Sequence, residues 1–361
     1  MALETTIVPK PPYSLALSAR MRSDATRFLR DGVLTMVFEA EETPALARVR
    51  QRPDGSLSLW IESRSERAAL EKLRFVLAAD DDHTPFLRRF ERDELLGPAT
   101  RELKGLRPLR TATVTHALLK AVCEQLIEAR AARLLENRLV RLAAPEHEGL
   151  RLPPTRNTFQ RFTRAELARH GLVSRKASAL LRLTHELDLE RLHGVSTEAA
   201  SARIERERGL GPWSAGMICL YGLGRFERGL VGDLGLIKLC SALRGRWADA
   251  DDTRELLQPY GEWAGLASVY LLASFPRKFR AAPTRSARPV PARNAPPKRI
   301  SATGNPVNGR SRAEADETVA AATPVPSGGG LGLGSGTGSG LGPGSGRAQL
   351  STYPKSSWWL R

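Results

Sequence analysis

The sequence predicts an α+β domain over residues 10–105, an all-α domain over residues 106–280 and a disordered tail over residues 281–361. Three observations carry this reading. A strand–turn–strand pattern lies near residue 50, and helical spacing follows it. From about residue 109 the periodicity is almost purely helical. Beyond 280 the composition turns to proline and arginine, then to glycine and serine. A chain of 361 residues accommodates two domains of about 100–200 residues each.

In the first domain, "ALARVRQRPDGSLSLWIES" (45–63) reads as two strands. Pro53, Asp54 and Gly55 supply the turn, while Leu57 and Leu59 alternate with Ser56, Ser58 and Trp60. "SERAALEKLRFVLAA" follows with Leu70, Leu73 and Leu77 at helical spacing. The "DDDH" at 80–83 reads as acidic turn residues capping the helix "HTPFLRRF" rather than as a metal site. In the second domain, "TATVTHALLKAVCEQLIEARAARLLENRLV" places Val114, Leu118, Val122, Leu126 and Ala129 on one helical stripe. Thr163 and Glu166 form a capping-box pattern, with Gly171 where that short helix ends. Ser174 is placed to cap the next helix, and Ser196 or Thr197 starts another that stops at Gly209. Pro212 begins a further helix at a first-turn position, and "YGEWAGLASVYLLASF" forms the last.

The tail contains "SGGGLGLGSGTGSGLGPGSG" (327–346), a linker composition that buries too little apolar surface to offset its ordering entropy. Trp358 and Trp359 at its end have no evident role. Net charge is +16, of which the tail holds +7, leaving +9 on residues 1–280. That excess favours a polyanionic partner, because each neutralised phosphate releases condensed counterions. No run of about 18 apolar residues predicts a membrane span, and no secretory signal pattern opens the chain. Cys123, Cys219 and Cys240 are scattered, as suits small buried residues in a reducing cytoplasm.

Chemistry concentrates in "RERGLGPWSAGMI" and the "GDLGLIK" that follows it. Gly209 suits a left-handed helix end, and Gly211 lets the backbone approach another molecule closely. Pro212 opens a helix whose early N–H groups lack partners, which makes a phosphate cradle as well as an ordinary turn. Asp233 stands between a Gly-rich loop and a helix, where it reads as an N-cap or as an isolated acid.

Together, residues 196–238 resemble the signature of the helix-hairpin-helix DNA glycosylase superfamily: hairpin, Gly/Pro-rich loop, aspartate. More narrowly, the chain is similar to the DNA-3-methyladenine glycosylase II family. "PPYSLAL", "GLRPLRTATVTHALLKAVCEQLIEARAARLL" (105–135) and "YGEWAGLASVYLL" (260–272) match family segments in order, so the resemblance covers about residues 10–280. It implies that Gly209, Gly211 and Pro212 form the hairpin turn, with the amides of Trp213, Ser214, Ala215 and Gly216 facing a DNA phosphate. It implies Asp233 as the catalytic carboxylate and Leu126 as an apolar wedge with Gln125 beside it, although Leu126 also fits a core stripe. Trp213 and Trp263 match aromatic positions of the base pocket, and Met217 stands where some members have an aromatic. Either tryptophan also fits plain core. The family commonly holds a monovalent cation on hairpin carbonyls; no other metal and no cofactor is implied. Glu207 and Arg208 depart from the apolar residue and proline usual before the hairpin glycine.

The implied reaction is hydrolysis of the N-glycosidic bond of an alkylated base flipped out of double-stranded DNA, by a monomer in a bacterial cytoplasm at the nucleoid. Relatives that also nick DNA carry a lysine at the position of Trp213. This chain has no lysine between residues 177 and 237, so no lyase step is expected. Two other readings stand beside this one: a non-catalytic DNA-binding protein, and a glycosylase for oxidised or mismatched bases.

Overall fold

Strand formation near the N-terminus extends well beyond the predicted pair. The computed structural model describes residues 2–20, 23–125 and 128–278. The tail readings, Trp358 and Trp359 among them, and Leu126, read as a wedge or as core, therefore lie outside the described residues. Five strands, β1 (Ala2–Ile7), β2 (Arg27–Arg30), β3 (Val33–Ala40), β4 (Thr43–Gln51) and β5 (Leu57–Glu62), form one antiparallel sheet in the order β1-β5-β4-β3-β2. The predicted β4–β5 pair is present, while β1 starts ahead of the predicted domain. Alternation explains which face is inside. Leu34, Met36, Phe38, Ala45, Ala47, Val49, Leu57, Leu59 and Ile61 are buried with Ala69, Leu73, Val76 and Leu77 of the helix Glu66–Leu77.

The helical part departs from all-α. Residues Glu146–His147 (β6) and Leu150–Arg151 (β7) pair as a small hairpin, turned by Glu148 and Gly149 at positive φ. Leu150 and Leu152 pack on Val37 and Leu46 of the sheet, a contact that no local pattern announces. Phe86, Phe90, Leu96, Ala99 and Leu103, which the sequence groups with the first domain, are built into the helical core. In the "DDDH" segment, Asp82 Oδ1 accepts from Thr84 N at 2.8 Å, Asp81 pairs with Arg110, and buried His83 meets Phe226 edge-on at 5.1 Å.

The segment carrying the apolar stripe from Val114 to Ala129 forms two helices, Val114–Glu124 and Ala129–Ala143. Every residue from Val114 to Cys123 is buried, so the first is a fully enclosed helix rather than an amphipathic one. The last helix begins at Ala264, because Gly261 (φ 52°, ψ −123°) breaks the chain ahead of it. Ser174 is the first residue of its helix, with Val173 at the cap position. Thr163 and Glu166 make the expected capping box, and Ser196 accepts from Ala199 N at 3.2 Å.

Close backbone approach locks the second hairpin helix, Pro212–Ile218, in place. A Cβ on Gly216 would sit 2.7 Å from the Gly229 carbonyl oxygen. Gly216→Ala must push the two segments apart, at a cost of about 1–3 kcal/mol. For a domain of this size the melting temperature should fall by about 2–10 °C. An unchanged melting curve would refute this account of the contact.

Candidate active site

The hairpin is built from local rules. The helix Thr197–Glu205 ends ahead of Gly209, whose φ of 100° suits glycine. Gly211 is extended, with nothing within 4 Å of where a Cβ would stand, so the backbone is open to an approaching molecule there. Ala215 N donates to Gly211 O at 3.0 Å and is therefore spent within the helix. Gly216 is buried against Gly229. The amides of Trp213 and Ser214 are the first-turn donors that remain, fewer than the four the sequence suggests.

Glu207 is accounted for by tertiary structure. It is buried, and its carboxylate accepts from Arg182 Nε at 2.7 Å. Arg182 also reaches Arg208 O at 3.5 Å, Gln125 Nε2 donates to Gly209 O at 3.0 Å, and Leu210 N donates to Glu207 O. These three carbonyls thus already meet N–H donors, and the guanidinium supplies positive charge beside them.

Gln125 explains why the preceding helix stops. Its side chain bridges Gly209 O and Ser214 Oγ, the latter at 2.8 Å, and Lys176 Nζ donates to its own carbonyl at 2.6 Å. With its carbonyl turned to Lys176 and ψ at 121°, the backbone leaves the helix. Gln125 therefore ties the end of the enclosed helix to the hairpin turn, 84 and 89 residues further along the chain.

Asp233 performs two tasks with its two oxygens. Oδ1 accepts from Gly235 N at 2.8 Å and Leu236 N at 3.4 Å, capping the helix Leu234–Arg244. Oδ2 accepts from Trp213 Nε1 at 3.0 Å. Burial pushes the carboxyl above the usual carboxylate range; the Trp213, Gly235 and Leu236 N–H groups oppose this, and the charge of Glu124 adds to it. Removing an opposing donor raises the value further, and removing Glu124's charge lowers it. If the ionised form is the active one, Trp213→Phe should move the acid limb of a kcat–pH profile upward, and Glu124→Gln should move it downward. Shifts of the opposite sign would sink this electrostatic account.

The other aromatic candidate is placed differently. Among the described residues, the ring contacts of Trp263 are with Phe226, stacked at 6.1 Å, and with Phe86 at 5.9 Å. Met217 is buried in the helical core. Sequence reasoning missed a buried ionic chain beside the site. Lys120 pairs with Glu124 and, at 3.3 Å, with Glu136, which meets His116 Nε2 at 3.1 Å. His116, Lys120 and Glu124 lie four residues apart on the first helix, while Glu136 stands on the second, so no helical spacing links it to them. Asp24 also lies in this group, paired with Arg27 at 3.3 Å.

A glycine hairpin and an aspartate capping the following helix are thus both present, the two features on which the sequence resemblance rests. No family model matches the chain. It is 29% identical over 204 residues to a DNA-3-methyladenine glycosylase of Bacillus subtilis, which covers 53% of this chain and 67% of that protein. A 3-methyladenine DNA-glycosylase structure from Archaeoglobus fulgidus has a TM-score of 0.67 at 21% identity, covering 75% of this chain and 97% of that one. An 8-oxoguanine glycosylase/lyase from Clostridium acetobutylicum, solved with double-stranded DNA, has a TM-score of 0.62 at 18% identity, covering 76% and 96%. The chain thus has the fold of helix-hairpin-helix DNA glycosylases and is similar in sequence to one of them. No described helix is long and apolar enough to cross a membrane.

Proposed function

We propose that this protein is a monofunctional glycosylase that releases alkylated purines of the 3-methyladenine and 7-methylguanine type from double-stranded DNA, acting as a monomer. The observation that carries this reading is the Trp213 Nε1 to Asp233 Oδ2 hydrogen bond at 3.0 Å. It holds a buried carboxylate beside an indole, at the hairpin whose open glycine suits contact with a DNA backbone. Flipping the target costs a few kcal/mol, less for a weakly paired lesion. An alkylated purine carries positive charge and leaves with little acid assistance, and it is attracted to an indole face. The protein's main task is then to stabilise the oxocarbenium-like sugar, which anionic Asp233 does while orienting or deprotonating water.

A lyase step needs a free amine. Trp213 occupies the hairpin position where the nicking relatives carry lysine. Lys120 and Lys176, which reach this region, are engaged by Glu124 and Glu136 and by Gln125 O respectively. The test is base-release profiling on methylated DNA, with borohydride added in parallel. Release of 3-methyladenine and 7-methylguanine with no trapped adduct is expected. A covalent adduct would overturn the monofunctional reading. Release of 8-oxoguanine or mismatched bases alone would overturn the substrate class, and no release at all would overturn the enzyme reading.

A further inference from the structure

The helix Ser174–Glu186 is fastened to the hairpin at two points. Arg182 Nε donates to the Glu207 carboxylate at 2.7 Å, and Lys176 Nζ donates to Gln125 O, whose side chain in turn holds Gly209 O. Both cations are spent in this fastening. Arg175 stands two turns from Arg182 and therefore on the same helix face. Its Nε lies 3.6 Å from where a Cβ on Gly209 would stand, so the bare glycine lets the guanidinium rest against the turn. Gly211, two residues on, has nothing within 4 Å on its open side. Arg175 is exposed, and it makes no hydrogen bond or ion pair among the described residues. The acids of the two segments that meet here are accounted for. Glu207 is met by Arg182, Glu186 by Arg203 at 3.4 Å and Glu205 by Arg228 at 2.6 Å. Glu198 stands in the first turn of the helix Thr197–Glu205, at the end away from the hairpin turn. Glu124 is met by Lys120, and Asp233 by three N–H donors. Glu128, at the start of the helix Ala129–Ala143, is exposed. Against it stand Arg206 and Arg208, which are exposed and, like Arg175, form no ion pair among the described residues.

We propose that Arg175 is a DNA-binding residue whose guanidinium holds a backbone phosphate at the hairpin turn. This rests on the reading that the hairpin faces a DNA backbone, and it adds a charged side chain to a grip otherwise made of amides. The amides of Trp213 and Ser214 orient a phosphate but carry no net charge, so the charge that releases counterions must come from a side chain. Lys176 and Arg182 are engaged within the protein, which leaves Arg175 as the cation of this helix that rests on the turn. A guanidinium meets a phosphate through paired N–H donors, and such charge-assisted bonds are about twice as strong as neutral ones. The helix is already fixed to the turn, so only the Arg175 side chain has to be ordered when DNA arrives. A phosphate contact carries no sequence information, so this one does not depend on which lesion is excised.

The test uses the full-length protein and a fluorescently labelled duplex without a lesion, with binding read by anisotropy over a salt series. Arg175→Gln should weaken binding about threefold to tenfold and reduce the slope of log K against log salt by about 0.9, for one lost phosphate contact. Its melting temperature should not change, since the side chain is exposed and unpaired. Arg67→Gln, at an exposed arginine of the helix Glu66–Leu77, should leave affinity and slope as they are. An unchanged slope in Arg175→Gln would overturn the inference, and so would an equal loss in Arg67→Gln, which reports overall charge alone. A lowered melting temperature in Arg175→Gln would also overturn it, by making Arg175 a brace of the turn. Gly211→Leu separates these results from failure of the underlying reading, because it fills the open side of the turn without meeting the protein. It should weaken binding. Loss in Gly211→Leu alone overturns only the Arg175 contact, whereas wild-type binding in both variants overturns the hairpin reading as well.

Discussion

Replacing Asp233 with Asn should lower the rate of base release by about 10²–10⁴-fold while leaving DNA binding intact or tighter. The proposed carboxylate acts on charge that appears as the glycosidic bond breaks, so its loss falls on kcat rather than on binding. Asparagine keeps an oxygen for the Gly235 amide, so the cap survives. The same substitution separates catalysis from folding. Burial raises the Asp233 carboxyl in the folded protein, so its ionisation opposes folding once pH exceeds the unfolded value. Removing that charge should therefore hold or raise the melting temperature at neutral pH. A slower enzyme that is no less stable is the expected result. A variant with wild-type release rates would remove Asp233 from the mechanism.

Replacing Glu136 with Leu should cost about 3–5 kcal/mol of stability and lower the melting temperature by about 6–20 °C. Glu136 is 2% exposed and receives both Lys120 and His116, so its removal leaves two buried polar groups without their shared acceptor. The attraction of Lys120 and the hydrogen bond from His116 outweigh burial and hold the Glu136 carboxyl down to about 2. A depressed folded value means that the stabilisation is complete above the ordinary 4.5 and is lost as pH falls toward about 2. Urea melts of wild type and Glu136→Gln should accordingly differ most near neutrality and converge through that acid window. A gap that stays constant with pH would show that the carboxylate's charge is not what stabilises the fold.

The sequence by itself determined what depends on neighbours along the chain. Gly209 at positive φ, Pro212 in a first turn, the Ser196 cap, the Thr163–Glu166 box and the Asp233 cap each follow from backbone rules that span at most four residues. The β4–β5 pair was legible for the same reason, a turn with alternating strands on either side. Tertiary structure decided the rest. The Trp213–Asp233 bond joins residues 20 apart, and the Gln125–Ser214 bond joins residues 89 apart. The helix break at Gln125 was hidden because apolar spacing continues across it, while the cause, the hairpin turn and Lys176, lies far along the chain. Lys120, Glu124 and Glu136 drew no reading at all, since sequence carries no measure of burial. A helix enclosed on every side presents the same apolar periods as an amphipathic one, and only its neighbours reveal which charges were taken out of water and must find partners.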